Sequence, residues 1–174
     1  MLSFDIRSLE AHAAIVDDEL SVDDPIWTPD DLRPETAVHV TGRLSAAGAG
    51  AGAGRFYWHG RIEGDVVLEC SRCLAEAHAH VSDEAHLIFA ERGDDSTDDP
   101  DVYQLDPNAL ELDLRPAIRE EWLLAAPAYA LCREGCRGLC PRCGADLNAG
   151  PHECASEVAD PRWEALRQLK SSNS

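Results

Sequence analysis

Residues 131–144 read LCREGCRGLCPRCG and place Cys132, Cys136, Cys140 and Cys143 at C-x3-C-x3-C-x2-C. Thiols clustered this closely in a chain without a paired-cysteine framework point to a metal, because disulfides are rare in reducing compartments. Four thiolates suit the tetrahedral preference of Zn²⁺. In CPRCG, Gly144 permits the tight turn that aims backbone amides at the sulfurs. The segment has little apolar content of its own, so a structural Zn²⁺ would supply its folding energy. We read the four clustered cysteines as the ligand set. His152 and Cys154, an H-x-C about ten residues on, are alternates that would join Cys140 and Cys143 in a more open finger. Arg133, Arg137 and Arg142 surround the thiols and offset the negative charge of a zinc–thiolate centre.

A second pair, Cys70 and Cys73, lies in CSRC at the end of an expected strand. It reads as a buried structural pair, as half of a metal site completed elsewhere, or as a redox pair with Arg72 lowering a thiol pKa. Redox pairs of this spacing sit at strand-to-helix junctions of βαβ units, which the pattern here does not show. His78, His80 and His86 share one strand region and read as solvated side chains. No nucleophile elbow or H-E-x-x-H is present, and AAGAGAGAG lacks the Lys-Ser/Thr ending of a phosphate loop. The expectation is a protein that is not an enzyme and has no small-molecule substrate.

These residues must be held by a scaffold whose pattern is mostly that of strands. MLSFDIRSLE (1–10) offers a short strand through Phe4 and Ile6, and 17–34 read as an irregular connection. AVHVTGRLS (37–45) alternates as a half-buried strand with an irregularity at Gly42, before a flexible Gly/Ala loop at 46–54. RFYWHGRIEG and DVVLEC read as two strands around a bend at Gly64–Asp65. Residues 77–90 read as a long strand with an irregularity near Ser82–Asp83, and 91–101 as an acidic, solvated loop. VYQLD and LELDL are two further short strands. RPAIREEWLLAAP (115–127) then shifts to helical spacing, with Pro116 in the first turn and Ile118, Trp122 and Ala125 on one face. DPRWEALRQLK (160–170) reads as a short helix capped by Asp160. Strands first and helices last give an α+β class: a curved, mostly antiparallel sheet or partial barrel, one main helix, a zinc-knuckle segment and a short C-terminal helix. We divide it into an acidic β-rich domain (1–127) and a cysteine-rich tail (128–174).

The 174 residues suit one compact unit with appendages, and 44% are apolar. No run approaches the roughly 18 apolar residues of a membrane helix, and the start lacks a basic leader with an apolar block. The expectation is a cytoplasmic protein with no membrane partner. The net charge is −18 and is carried entirely by residues 1–114, while 115–174 are neutral. Such an acidic half repels phosphate backbones and favours a basic partner. If RNA is touched directly, the neutral C-terminal part is the better candidate. Lys170 is the single lysine against fourteen arginines.

LECSRCL (68–74), LDLRPAIREEWLLAAP (112–127), CREGCRGLCPRCGADLN (132–148) and DPRWEAL (160–166), in this order, resemble the YceD family of bacterial and plastid proteins linked to accumulation of large-subunit ribosomal RNA. The likeness extends loosely to the N-terminal half through VHVTGRLS. It implies a non-enzymatic ribosome-biogenesis factor that supports synthesis, processing or stability of that rRNA. Its partners would be ribosome-assembly components, a basic protein before bare RNA, with rRNA contact possible. The resemblance also implies that the Cys70/Cys73 pair and the helix around Glu120 recur more widely in the family than the C-terminal cysteine cluster. Glu120 and Glu121 then form either a partner-binding edge or a solvated helix face. A thiol redox protein and a zinc-ribbon nucleic-acid binder are the alternatives.

Overall fold

In the computed structural model, residues 1–47, 54–91 and 102–154 are described. The class is α+β. A five-stranded sheet has the order β2 (Ala14–Leu20), β3 (Val38–Ala46), β4 (Arg55–Glu69), β5 (Glu76–Glu91) and β6 (Val102–Leu105). All pairings are antiparallel except β5–β6, which is parallel. A second, two-stranded sheet pairs β1 (Ser3–Asp5) with β7 (Glu111–Asp113). The helices are α1 (Ile6–Ala11) and α2 (Arg115–Ala125). The large sheet is open, with β2 and β6 at its edges among the described residues. The Gly/Ala loop, the acidic loop at 91–101 and the helix expected at 160–170 lie wholly or mainly outside the described residues.

The long central hairpin sets the geometry. Register between β4 and β5 runs without interruption from Arg55↔Ala90 to Glu69↔Glu76. Even-numbered residues of β4 (Phe56, Trp58, Ile62, Val66) and odd-numbered residues of β5 (Val81, Ala85, Leu87, Phe89) therefore all face the core. The bend expected at Gly64–Asp65 and the irregularity near Ser82–Asp83 do not occur. The glycines instead make room for two indoles. A Cβ on Gly60 would lie 2.4 Å from the Trp58 ring and 2.1 Å from the Thr41 carbonyl oxygen. One on Gly64 would lie 3.0 Å from the ring of Trp122, the fully buried anchor of α2.

Helix α2 covers the core with Ala117, Ile118 and Trp122. Pro116 stands in its first turn, and the Asp113 carboxylate accepts from the Arg115 N–H at 3.0 Å. Trp122 Nε1 donates to the Leu32 carbonyl at 2.9 Å, and Arg119 donates from Nε and Nη2 to the two oxygens of Asp31, at 2.6 and 2.5 Å. All three bonds tie the helix to the 21–37 connection. That connection lies a few residues later than the expected 17–34, because β2 occupies 14–20. The N-terminal strand also stops sooner than expected. Asp5 accepts from the Ser8 N–H at 2.8 Å and caps a helical turn that takes Ile6 out of the strand.

Two outcomes test this packing. Trp122→Ala should cost about 3–5 kcal/mol in urea unfolding, whereas Leu124→Ala, 73% exposed on the same helix, should change stability by no more than about 0.5 kcal/mol. The hydrogen-bonded Arg119 guanidinium holds the Asp31 carboxyl well below the usual carboxylate range. A depressed folded-state pKa stabilises above the unfolded value and is lost as pH falls. Asp31→Asn should lower the melting temperature at pH 7 and flatten its decline below pH about 4. An unchanged acid limb in a thermal scan series would remove the Asp31–Arg119 pair as its source.

Candidate metal centres

The turn between β4 and β5 is built by CSRCLA. The Cys70 N–H donates to the Ala75 carbonyl at 2.7 Å, the Leu74 N–H donates back to the Cys70 carbonyl at 2.9 Å, and Leu74 has φ +62°. In the tail, CPRCGA repeats these bonds. The Cys140 N–H donates to the Ala145 carbonyl at 2.8 Å, the Gly144 N–H to the Cys140 carbonyl at 2.9 Å, and Gly144 has φ +74°. The chain thus makes the same knuckle twice, seventy residues apart, from the shared pattern C-x-R-C-x-A. The turn brings its two sulfurs to one side and aims backbone N–H groups at them.

Each knuckle is completed by a different pair. Cys70 and Cys73 meet Cys132 and Cys136, and Cys140 and Cys143 meet His152 and Cys154. Within each group all ligand atoms lie within 4.8 Å of one another. The Cys70–Cys136 sulfurs are 3.8 Å apart and the Cys73–Cys132 sulfurs 3.5 Å. Four sulfurs about 2.3 Å from a tetrahedral Zn²⁺ would stand about 3.8 Å apart. In the second group, Cys143 Sγ lies 3.1 Å from His152 Nε2. Both groups could hold a metal ion. The ligand set expected from the sequence, Cys132, Cys136, Cys140 and Cys143, is not brought together. Its first two members join the hairpin turn, and its last two join the alternates His152 and Cys154. The missed signal was the repeat itself: two C-x-R-C-x-A strings imply two knuckles, and each needs two further ligands.

The first group is held from both sides. The Ser71 N–H donates to the Ala130 carbonyl at 2.9 Å, the Leu139 N–H to the Arg72 carbonyl at 3.0 Å, and Arg72 Nη1 to the Cys136 carbonyl at 2.9 Å. Arg72, between the two knuckle cysteines, thus positions the tail by its carbonyl and its guanidinium. Gly138 permits this approach with φ +74°, and a Cβ there would sit 2.9 Å from the Arg72 carbonyl oxygen. Cys70 and Cys136 are buried, whereas Cys143 is exposed, so the second centre is the more open.

Thiol acidity follows from this geometry. Backbone N–H groups of Cys132, Arg72 and Cys73 bring Cys70 down to about 6. Those of Arg142 and Cys143 bring Cys140 to about 6. Their neighbours move the other way. The Cys73 sulfur and burial push Cys132 up to about 12, and burial with the Cys143 and Cys140 sulfurs pushes Cys154 up to about 11. Each group therefore sets one acidified thiol, Cys70 or Cys140, beside one that holds its proton more tightly, Cys132 or Cys154. Of the strand histidines, His78 pairs with Glu35 and His80 with Asp65 at exposed positions, apart from both centres. Among the described residues, no helix is long and apolar enough to cross a membrane.

Curated relatives share part of this sequence. An uncharacterized protein of Mycobacterium tuberculosis (strain H37Rv) is 30% identical over 113 residues, 63% of this chain and 53% of the relative. The uncharacterized protein YlbN of Bacillus subtilis is 29% identical over 109 residues, 62% of each chain. The chloroplastic large ribosomal RNA subunit accumulation protein YCED homolog 1 of Arabidopsis thaliana is 31% identical over 70 residues, 40% of this chain and 22% of the relative. The chain spans about half the length of the mycobacterial relatives it matches. No solved structure matches it. The family model described as large ribosomal RNA subunit accumulation protein YceD matches residues 58–170, a stretch that includes both knuckles and all their partners, and the chain belongs to that family.

Proposed function

We propose that this protein is a non-enzymatic, cytoplasmic ribosome-biogenesis factor that supports accumulation of large-subunit rRNA, and that two structural Zn²⁺ ions fix its tail. The observation that carries the reading is the family match over 58–170, which contains the hairpin turn, α2 and every candidate ligand. Zinc is the metal of choice because one donor set is four thiolates and the other is three thiolates with an imidazole, and no open coordination position is needed for a structural role. The ligands are Cys70, Cys73, Cys132 and Cys136 for one ion, and Cys140, Cys143, His152 and Cys154 for the other. Residues 128–154 have few buried side chains beyond Ala130, Cys136 and Cys140, so the metal replaces the core they lack.

The net charge of −18 favours a basic partner, such as a ribosomal protein, over bare RNA. A redox role for Cys70 and Cys73 is disfavoured by burial, since Cys70 is 0% exposed and an attacking thiolate needs access.

Two measurements test this. Protein purified under reducing conditions should carry two zinc equivalents by native mass spectrometry. Cys73→Ser should lose one and Cys143→Ser the other, with the double variant metal-free. A single equivalent shared by both variants would refute the two ligand sets. Depletion in cells should lower mature large-subunit rRNA, with the protein co-sedimenting with large-subunit precursors. Normal rRNA after clean depletion would remove the biogenesis role and leave the metal assignment intact.

A further inference from the structure

The outer face of the large sheet carries a third group of ligand-type side chains, away from the cysteines. His59 of β4 and His86 of β5 are register partners, and Glu84 lies two residues from His86 on the same face. One ligand atom from each of the three falls within 4.8 Å of the others. His59 Nε2 is 2.8 Å from Glu84 Oε1, and the two imidazoles stack with centroids 4.3 Å apart and 12° between planes. Because the in-plane lone pairs of parallel rings do not converge, an ion held by both would turn one imidazole out of the stack, which these exposed side chains are free to do.

Two features make this more than a chance meeting of exposed residues. The first is orientation: Tyr57 Oη lies 2.6 Å from His86 Nδ1. When Nδ1–H donates to that oxygen, the Nε2 lone pair is left for a ligand, the arrangement that fixes tautomer and ring direction at metal-bound histidines. The second is space. A groove of about 380 Å³ opens beside His59 and Glu84, lined by Thr41, Arg43, Arg61 and the backbone of Gly42 and Gly60. Arg61 Nη2 stands 4.0 Å from Glu84 Oε2, so one carboxylate oxygen faces a cation while the other faces His59.

We propose that His59, Glu84 and His86 form an exchangeable site for a late first-row divalent cation, with coordination positions left open toward the groove. The cation takes the place of the proton between His59 Nε2 and Glu84 Oε1, which moves to His59 Nδ1 or leaves to solvent, so that the imidazole binds as a neutral ligand. Two imidazoles and one carboxylate suit Zn²⁺, Ni²⁺, Co²⁺ or Cu²⁺ and do not suit Ca²⁺ or Mg²⁺, which take oxygen ligands. Three protein ligands with open positions bind an ion reversibly, unlike the closed thiolate centres. This site goes beyond the rRNA reading and does not rest on it, because none of its ligands belongs to a cysteine group.

The test is calorimetric titration of full-length, zinc-loaded protein with Ni²⁺, while a chromogenic chelator reports any zinc released. We expect one further equivalent, bound without zinc release and in the micromolar range. His59→Ala and His86→Ala should each abolish it. Tyr57→Phe, which keeps all three ligands, should weaken it by about 10-fold or more. His78→Ala with His80→Ala should leave it unchanged. Circular dichroism checks that each exposed variant remains folded. Absence of a further equivalent at millimolar Ni²⁺, or its persistence in the His59/His86 double variant, would overturn the assignment.

Discussion

Four sulfurs held within 4.8 Å cannot all carry charge on their own. That constraint governs the C-terminal third of the described chain. Backbone N–H groups of Cys132, from the tail, and of Arg72 and Cys73, from the hairpin turn, bring the Cys70 thiol down, while the Cys73 sulfur and burial drive Cys132 upward. Opposed shifts within one group are of the kind that a shared counter-charge would relieve. The backbone bonds across the seam already set the register: Ser71 to Ala130, Leu139 to Arg72, and the Arg72 guanidinium to Cys136. A cation there would fasten a joint whose geometry the peptide groups have specified.

The joint can be specific because its other half is stiff. Fifteen consecutive register pairs between β4 and β5 carry the CSRCLA turn at one end and the His59–Glu84–His86 group in the middle of the hairpin. An unbroken ladder preserves side-chain parity over its whole length, so a side chain's face is fixed far from any loop. Bulges would re-aim side chains locally, and this hairpin has none in its register. The glycines that could have bent it serve packing instead. Gly42 and Gly60 admit the Trp58 indole, and Gly64 admits Trp122. Helix α2 thereby rests on the same hairpin that presents the first knuckle, which fixes where the chain emerges at Ala126 and how soon it can reach Cys70.

Much of this was legible in the residues, and the failures have physical causes. Alternation located β3, β4, β5 and β7, and the 3.6-residue period located α2 to within two residues, because both patterns follow from one buried face. The bend at Gly64 was misread because a glycine in a strand signals either backbone freedom or a close neighbour, and the neighbour here, Trp122, comes from nearly sixty residues away. VYQLD reads as the strand that becomes β6, but its parallel pairing with β5 is not legible there, since local pattern does not encode the partner. The α+β class and family likeness survived these errors because they rest on element type and order. The ligand set did not, because nearness in sequence was used as a proxy for nearness in space. Cys136 lies four residues from Cys140, yet its sulfur belongs with Cys70.

The two knuckles share one local structure but differ in what they connect. The second closes a short loop, from Cys140 to Cys154, and can only stiffen the tail. The first sets β-hairpin residues 70 and 73 against residues 132 and 136, so an ion held there would close a loop of some sixty residues that contains β5, β6, β7 and α2. Closure entropy grows with the logarithm of loop length, about 0.6 kcal/mol for each doubling. The long closure therefore restricts the unfolded chain more than the short one does. It also couples sheet to tail, because moving the Cys132–Cys136 pair away from the hairpin exposes Cys70 and breaks the Arg72 contacts together. A partner that binds across the seam would meet one rigid surface made from both halves of the chain, and one that binds beyond Cys140 would meet the tail alone. Among the described residues, the buried group is thus the one that links sheet to tail, and the exposed group lies within the tail alone.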